Sequence, residues 1–441
     1  MSKNPGSLQV QVTVPSHFLC PISLEPMTDP VILTSGHTFD RASIQRWVDD
    51  GNFTCPLSRQ PLDPTDMEDP LPNHTLRRMI QAWYLQHAGC GVDRLLTPRQ
   101  PPSLKDLPHL IDILASAAHN SPAASPHDSL DALLKLARLS TDRPRTRRII
   151  IHHGAIPILS KLLSRSFPGS PPIVSSVAAV PTPLSHTIAD EAIKLLDLLV
   201  DPISCAEIDL QHLSCHEELT FSLVNALLRA ATLDSRARVS TILTRLQPPL
   251  CLRRKIGELQ GFIAALADMI REDDGLLSKP ALGLLIDICE ASNRNRTMAT
   301  EVGAVETLAR LLENRLQQSG GDENDNVEMV MKALELICQC AEGRAAVAAD
   351  ERIIAVIVKN INAAYERSAH HAFHILLLVT KYVQEPEKVK AAALREGALF
   401  KVICVAQSAK NSETRKAARR LASALSEAMP PEQLSKTMKI I

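Results

Sequence analysis

The feature that most constrains the fold is a ten-residue pattern that recurs along the C-terminal part of the chain. A glycine is followed by a small or apolar residue and then by an apolar run with helical spacing. Clear copies begin at Gly154, Gly261, Gly303, near Arg352 and at Gly397, and a weaker copy lies near Glu218. From Gly261 onward the copies are separated by 42, 49 and 45 residues. A glycine that ends one helix before the next begins accounts for the copies that start at Gly154, Gly261, Gly303 and Gly397.

A repeat of this length, built from two or three helices, is typical of armadillo and HEAT solenoids. The run Gly154-Ala155-Ile156-Pro157 resembles the armadillo form. Each unit exposes an apolar face that only its neighbour covers, so six or seven units would stack on one another. The distribution of proline, which breaks helices, supports this interpretation. Of the 30 prolines, 24 precede Ile203, so the C-terminal half is nearly free of helix breakers. We therefore predict an all-α solenoid over residues 108–428.

The remaining boundaries follow from composition. The 441 residues are enough for two or more domains. We predict a disordered leader over residues 1–14, a small domain over 15–89, a Pro-rich linker over 90–107, a disordered insertion over 167–187 and a tail over 429–441.

The small domain differs in composition from the solenoid. Six of the thirteen aromatic residues, including both tryptophans, fall within residues 15–89. That stretch holds five Lys and Arg against nine Asp and Glu, and the whole chain has a net charge of −1. Neither balance favours binding to nucleic acid or to a membrane surface.

Cysteine usage and hydropathy limit the location of the chain. The ten cysteines show no paired spacing, and no run reaches the roughly 18 apolar residues of a membrane span. Residues 1–14 lack the apolar core of a signal peptide. We expect free thiols in a reducing compartment, no membrane span, and a cytoplasmic location with the nucleus as a second one.

Local signals predict a hairpin and two helices within residues 15–89. Val31–Leu33 and His37–Phe39 are short β-prone runs joined across Ser35-Gly36, a turn signal. The predicted helix ends are Asp40 (N-cap), Gly51 (C′) and Asn73 (N-cap).

The motifs of this stretch resemble the U-box, the zinc-free relative of the RING domain found in ubiquitin ligases. The matching segments are Cys20-Pro21-Ile22-Ser23, Asp29-Pro30-Val31, Gly36-His37-Thr38-Phe39-Asp40-Arg41, Thr54-Cys55-Pro56-Leu57-Ser58 and Pro72-Asn73. The whole plan is similar to that of plant U-box proteins with armadillo repeats. The resemblance implies a small α+β U-box followed by the all-α solenoid.

A metal site is not expected in the small domain. A RING domain uses Cys and His pairs at C-x₂-C spacing, and residues 15–89 contain only two cysteines and no such pair. We therefore predict no zinc and no cofactor. The resemblance implies that hydrogen bonds and ion pairs replace the metal, with candidates Ser23, Glu25, Asp40, Arg41, Ser58 and Arg59.

A covalent active site is not expected either. Cys20 and Cys55 each precede a proline in a tight loop, with no nearby basic pattern to lower the thiol pKa. We interpret both as buried packing residues. The ligase type that this stretch resembles forms no covalent intermediate, so no residue is predicted to be catalytic in that sense.

The resemblance also implies a surface for a ubiquitin-conjugating enzyme (E2). The family's apolar contacts correspond here to Ile22, Trp47 and Pro56, with Leu24 as an addition. Arg59 corresponds to the cation that bridges the E2 and its ubiquitin, which suits the forked donors of arginine. The alternatives are that Trp47 belongs to the core and that Arg59 forms a structural ion pair.

These features together predict an E3 ubiquitin-protein ligase. Its U-box would recruit the E2–ubiquitin thioester, and the armadillo groove would hold the substrate protein. His370, His371 and His374 are interpreted as surface and groove residues and not as a metal site. A non-enzymatic armadillo adaptor with a passive U-box and an importin-like carrier are the alternatives, and the intact set Ile22, Trp47, Pro56 and Arg59 favours the ligase.

Overall fold

A computed structural model describes most of the chain, in two compact units of residues 1–155 and 156–441. The described residues are 14–68, 70–87, 106–119, 125–141, 144–167, 183–201, 213, 215–230, 232–272, 278–317, 324–362 and 364–428. The predicted tail and nearly all of the predicted leader and linker lie outside these ranges.

The N-terminal part contains a small antiparallel sheet. Strands β1 (Pro30–Ile32), β2 (Thr38–Asp40) and β3 (Leu71–Pro72) lie in the order β2-β1-β3. Val31 pairs with Phe39 on one side and with Pro72 on the other. The hairpin turns at Gly36, whose φ of 79° is the left-handed conformation that glycine adopts readily. The predicted hairpin is confirmed, with each strand shifted by one residue.

Three helices accompany this sheet: α1 (Arg41–Asp49), α2 (Pro64–Glu68) and α3 (His74–His87). Helix α1 packs against β2, and α3 packs against β1. Ile44 and Val48 lie four residues apart, so both occupy the inward face of α1 and are buried. Ile80 of α3 is buried as well. The rest of this core comprises Phe18, Cys20, Met27, Val31, Leu33, Phe39, Cys55 and Leu62.

The predicted helix ends in this part are confirmed, although one of them lacks the expected side-chain capping bond. Gly51 follows α1 at a φ of 88°, and the Asn73 side chain accepts a hydrogen bond from the Leu76 amide at 3.1 Å, as expected. Asp40 occupies the N-cap position of α1, but its side chain makes no capping bond. Its carboxylate instead accepts hydrogen bonds from the backbone amides of Thr28 and Asp29, both at 2.8 Å.

Three further helices complete the first unit: α4 (Leu107–Ala118), α5 (Pro126–Thr141) and α6 (Pro144–His152). Helix α4 packs against α5, and α5 packs against α6. Arg147 of α6 donates to the carbonyl oxygens of Ser140 and Thr141, which lie at the end of α5 and lack intrahelical partners.

All of the secondary-structure elements described in the second unit are α-helices. Its elements are α7 (Ala155–Ser166), α8 (Pro183–Leu199), α9 (Glu217–Arg229), α10 (Leu233–Leu246), α11 (Leu250–Gly257), α12 (Phe262–Glu272), α13 (Ser278–Ala291), α14 (Asn293–Glu301), α15 (Ala304–Gln317), α16 (Asn324–Ile337), α17 (Ala341–Ala349), α18 (Glu351–Lys359), α19 (Glu366–Tyr382), α20 (Pro386–Arg395), α21 (Ala398–Ser408) and α22 (Ser412–Ser426).

The order of these helices follows the predicted repeat. A short first helix leads to a second helix and then to a third, as in α14, α15 and α16. Second helices α7, α12, α15 and α21 each follow a glycine with φ between 75° and 82°. Helix α18 lacks that glycine and follows Asp350 instead, whose carboxylate accepts a bond from the Arg352 amide. The prediction from the recurring glycine is confirmed.

The third helices stack on one another. Helices α8, α10, α13, α16, α19 and α22 each pack against the next in this series. Second helices α9, α12, α15 and α18 stack in the same way. Each helix thereby covers an apolar face of its neighbour, which is the basis of solenoid stability.

The predicted insertion is described only at its two ends. Residues 168–182 lie outside the described part. Phe167 is buried at the end of α7, and residues 183–187 form the first turns of α8, with Pro183 as its first residue. The prediction extended too far, because a proline that opens a helix was interpreted as a helix breaker.

Candidate functional site: two matched loops beside a helix

Two loops of the N-terminal part share one sequence pattern. Loop 1 (residues 19–26) contains Cys-Pro-Ile-Ser-Leu-Glu-Pro, and loop 2 (residues 54–61) contains Cys-Pro-Leu-Ser-Arg-Gln-Pro. An antiparallel bridge closes each loop, between Leu19 and Pro26 and between Thr54 and Pro61. The same residue types at the same spacing therefore form two equivalent loops, 35 residues apart.

Their backbone hydrogen bonds also match. In loop 1 the Cys20 amide donates to Glu25 and the Leu24 amide donates to Cys20, both at 2.8 Å. In loop 2 the equivalent bonds run from Cys55 to Gln60 and from Arg59 to Cys55, at 2.8 and 2.9 Å. Leu24 and Arg59 occupy the same left-handed conformation, with φ of 60° and 58°.

A buried cysteine sulfur lies at the centre of each loop. Cys20 Sγ accepts a hydrogen bond from the Asp40 amide at 3.3 Å, and Cys55 Sγ accepts one from the Ser35 hydroxyl at 3.4 Å. Burial raises the pKa of both thiols, but hydrogen bonds from loop amides and serine hydroxyls outweigh it, so each pKa is lowered.

These donors are local N–H and O–H groups and not basic residues, so a sequence argument that considered only basic residues missed the lowering. Both side chains are fully enclosed. A thiol without solvent contact is a poor acceptor for a bulky ubiquitin, so their structural role remains the better interpretation.

Asp29 is the main electrostatic link in this part of the chain. It is 7% exposed, and its carboxylate pairs with Arg41 of α1 at 2.8 Å and with Arg77 of α3. Its carbonyl oxygen also accepts the Arg41 amide at 2.9 Å. One buried carboxylate thus connects both helices to the segment that enters β1. Arg41 was predicted for this network, whereas Asp29 was not.

A second buried carboxylate fixes the hairpin. Asp66 of α2 accepts hydrogen bonds from the Thr34 amide at 2.9 Å and from its hydroxyl at 2.5 Å. Asp40 fixes the segment between loop 1 and β1 through the Thr28 and Asp29 amides. These contacts join segments that are far apart in sequence, which is the task of the metal in a zinc domain.

The other predicted network residues act within their own loops. The Ser23 and Ser58 hydroxyls accept long hydrogen bonds from the Glu25 and Gln60 amides, at 3.4 and 3.5 Å. Glu25 contributes its backbone, while its side chain is exposed. Its predicted role as a carboxylate partner therefore finds no support among the described contacts.

The predicted E2-contact residues lie on the two loops and on α1. Leu24 is 73% exposed and Arg59 is exposed, whereas Ile22, Trp47 and Pro56 are partly buried. Ile22 and Trp47 pack against the core while staying partly exposed. Trp47 is therefore both a core contact and a surface residue. These residues remain predicted contacts.

Trp47 also positions loop 2. Its indole Nε1 donates to the Thr54 carbonyl oxygen at 2.8 Å, so loop 2 lies beside the end of α1. Loop 1 is held at the start of α1 through Cys20 and the Asp40 amide. The helix therefore fixes both loops, one near each of its ends.

Sequence reasoning missed two exposed apolar residues at this site. Leu57 and Phe53 are each 52% exposed. Leu57 follows the proline of loop 2 as Ile22 follows that of loop 1. The repeated Cys-Pro-(Ile or Leu)-Ser pattern was the signal that would have identified Leu57.

The described ranges contain neither a candidate metal site nor a membrane-spanning helix. No group of three or more His, Cys, Asp or Glu residues there could hold a metal ion. No described helix is long and apolar enough to cross a membrane.

The three histidines of α19 take part in contacts between third helices. Glu335 of α16 pairs with His371 at 2.5 Å and with His374 at 3.1 Å, and the His370 Nδ1 lies 3.3 Å from the Thr414 hydroxyl. Burial alone would raise the pKa of Glu335, but hydrogen bonds and charge from His371 and His374 lower it to about 2. The hydrogen bond to Glu335 raises the pKa of His374.

These shifts determine when the cluster stabilises the fold. Glu335 has a pKa below its ordinary 4.5, so its contribution is present above pH 4.5 and is lost as the pH falls toward about 2. His374 has a pKa above its ordinary 6.5, so its contribution is present below pH 6.5 and is lost as the pH rises through the raised value.

Comparisons with known families agree with this architecture. The family model of the U-box domain matches residues 14–89. The model of the plant U-box protein ARM repeat region matches residues 110–438, three quarters of the chain. The chain belongs to the family of plant U-box proteins with an armadillo repeat region. A small U-box followed by an armadillo solenoid, as predicted, is thus confirmed.

Full-length relatives are found in Arabidopsis thaliana. The chain is 28% identical over 433 residues to the E3 ubiquitin-protein ligase PUB23, covering 94% of this chain and 93% of that protein. It is 29% identical to the E3 ubiquitin-protein ligase PUB22, covering 93% of this chain and 94% of that protein. A designed armadillo repeat protein aligns with 72% of this chain and 99% of its own, at 17% identity and a TM-score of 0.34.

Proposed function

We propose that this protein is an E3 ubiquitin-protein ligase that acts by binding and orienting an E2–ubiquitin thioester. The observation that carries the proposal is the pair of matched loops fixed beside α1. They hold Leu24 and Arg59 in the same exposed left-handed position. The names of the relatives PUB22 and PUB23 support the same activity.

The loops and α1 bind the E2 in this proposal. Ile22, Leu24 and Leu57 supply apolar contacts, and Trp47 supplies the aromatic residue that small protein interfaces favour. The indole nitrogen of Trp47 is occupied by the Thr54 carbonyl, so only its apolar ring is available to a partner. Pro56 adds a rigid apolar surface beside it.

Arg59 performs the orienting step. Arg59 is exposed on loop 2, and the five N–H donors of its guanidinium can bind two partners at once. Ubiquitin that is held in one pose places its thioester carbonyl for attack by a substrate lysine. The lysine amine displaces the E2 thiol directly and forms an isopeptide bond, so the ligase forms no covalent intermediate.

The second unit, residues 156–441, is called the armadillo unit and holds the substrate protein in this proposal. Stacked third helices present a continuous surface on which an extended segment can lie. We propose the cytoplasm as the site of this activity, with the nucleus as a second location.

Autoubiquitination of the full chain with a panel of E2 enzymes tests the proposal. We expect at least one E2 to yield ubiquitin conjugates, and Ile22→Ala to reduce them. The matched control is Met79→Ala, which truncates an exposed apolar residue that belongs to α3 and to neither loop. A folded chain that forms no conjugates with any E2 would favour the passive adaptor.

A further inference from the structure

The second unit contains a cavity at the start of α19, between third helices. Its volume is about 540 Å³, within the roughly 300–1,000 Å³ of ligand sites. Residues of α16, of the start of α19 and of the start of α22 line it, among them Glu328, Tyr365, Glu366, Ser368 and Thr414.

Ser368 is the residue that indicates a ligand. It is 4% exposed, lines the cavity, and its hydroxyl has no hydrogen-bond partner among the described residues. A buried hydroxyl normally has a partner, because water satisfied it in the unfolded chain. Tyr365 precedes α19, and its side chain accepts no hydrogen bond from the helix. The first amides of α19 therefore lack a side-chain cap.

An equivalent serine shows how the fold provides a hydrogen-bond acceptor for a hydroxyl at this helix position. Ser235 is the third residue of α10, as Ser368 is the third residue of α19. It is 1% exposed, and its hydroxyl donates to Asp190 of the preceding third helix at 2.7 Å. Ser368 has no such acceptor, and the cavity lies beside it. An acceptor oxygen from a bound molecule would complete the same arrangement.

The charges around the cavity restrict what that molecule is. Glu328, Glu366 and Arg367 all line the space, and Arg367 lies 3.7 Å from Glu328, so two carboxylates and one guanidinium leave the border net negative. Glu366 also accepts the Lys410 and Asn411 amides. A bound anion would be repelled by this border. A bound cation would meet the positive end of the α19 dipole. Burial lowers the pKa of His370, which therefore adds a neutral polar ring.

We propose that this cavity binds an uncharged carboxamide, the side chain of a glutamine or asparagine, carried by the substrate protein. The inference rests on the proposed function, in which the armadillo unit holds that substrate. The carboxamide oxygen accepts from the Ser368 hydroxyl and the first amides of α19. Its NH₂ group donates to the carboxylates at the border.

Three small probes test this chemistry on the full chain. Nα-acetyl-glutamine methylamide, Nα-acetyl-lysine methylamide and Nα-acetyl-glutamate methylamide share their main-chain amides and differ only in the side chain. Binding is followed by the methyl resonances of Ala364 and Thr414, which line the cavity. We expect saturable shifts with the glutamine probe and a Kd at least tenfold lower than with the other two.

Matched serine variants separate the hydroxyl from general effects. Ser368→Ala should raise the Kd for the glutamine probe at least threefold and leave the melting temperature unchanged or higher, because it removes an unpartnered buried hydroxyl. Ser235→Ala should lower the melting temperature and leave the Kd unchanged. If Ser368→Ala lowered the melting temperature as much as Ser235→Ala, Ser368 would have a partner within the protein and the proposal would fail.

The remaining outcomes are equally decisive. Equal Kd values for the three probes would indicate main-chain recognition, and tighter lysine or glutamate binding would indicate an ionic site; either result overturns the proposal. No binding by a chain that still forms ubiquitin conjugates refutes the cavity and leaves the ligase. Glutamine-selective binding by a chain that transfers no ubiquitin with any E2 refutes the ligase alone.

Discussion

Truncation of Asp29 should unfold the U-box while the armadillo helices remain folded. Asp29→Ala leaves two arginines, Arg41 and Arg77, without the carboxylate that both contact in a largely buried position. Removing one partner from a buried ion pair costs about 3–5 kcal/mol. A core of this size supplies only about 3–5 kcal/mol of net stability. The loss is therefore comparable to the whole stability of the domain.

The chain contains its own probe for this experiment. Both tryptophans, Trp47 and Trp83, lie in the U-box and pack against its core, so tryptophan fluorescence reports on that domain within the full chain. With a urea slope of about 1 kcal/mol per molar, the expected loss lowers the unfolding midpoint by about 3 M or more. Circular dichroism at 222 nm, which the helices of the second unit dominate, should change little.

Glu25→Ala is the matched control, since it also removes a carboxylate from the U-box but an exposed one. Its fluorescence midpoint should equal that of the unchanged chain. Surface substitutions usually change stability by less than about 0.5 kcal/mol, which corresponds here to a midpoint shift of about 0.5 M. A shift for Asp29→Ala no larger than that would refute the central role of this carboxylate.

Three further predictions follow from contacts in both units. Dialysis against EDTA should leave the tryptophan midpoint unchanged, because protein groups hold both loops; a marked drop would reveal a metal. In the unchanged chain, the melting temperature of the helices is expected to fall as the pH rises above 6.5. Glu335→Gln should remove this fall, because the raised pKa of His374 depends on that carboxylate; an identical pH profile would contradict this. Gly343→Ala should destabilise the armadillo unit by about 1–3 kcal/mol in urea, because the added Cβ would lie 2.2 Å from the Ile337 carbonyl oxygen; unchanged stability would show that α17 shifts freely.

The features that could be predicted from sequence are local ones. The glycine before each second helix, the Asn73 cap and the Gly36 turn each depend on a few adjacent residues. The solenoid follows from them, because helices with one apolar face at a regular period have to stack. The family resemblance supplied the candidate E2 surface.

The features that were missed depend on distant partners. Asp29 joins residues 12 and 48 positions away, and Asp66 joins Thr34 at a separation of 32. Asp40 illustrates the same limit, since its position before α1 predicts a cap while the fold brings the Thr28 and Asp29 amides to its carboxylate. The hydroxyl of Ser368 could be recognised as unpartnered only after the third helices were stacked.

The most direct test of the ligase mechanism is the discharge of a ubiquitin-charged E2 to free lysine in a single turnover. Arg59→Gly is the informative variant, because it removes the guanidinium while glycine tolerates the φ of 58° at this position. Arg59→Lys keeps a positive charge as a control. We expect Arg59→Gly to slow discharge about tenfold or more while the Kd for uncharged E2 changes much less, the pattern of an interaction made mainly in the transition state. Equal losses of discharge and of E2 binding, or a lower tryptophan unfolding midpoint, would instead make Arg59 an ordinary contact or a structural residue.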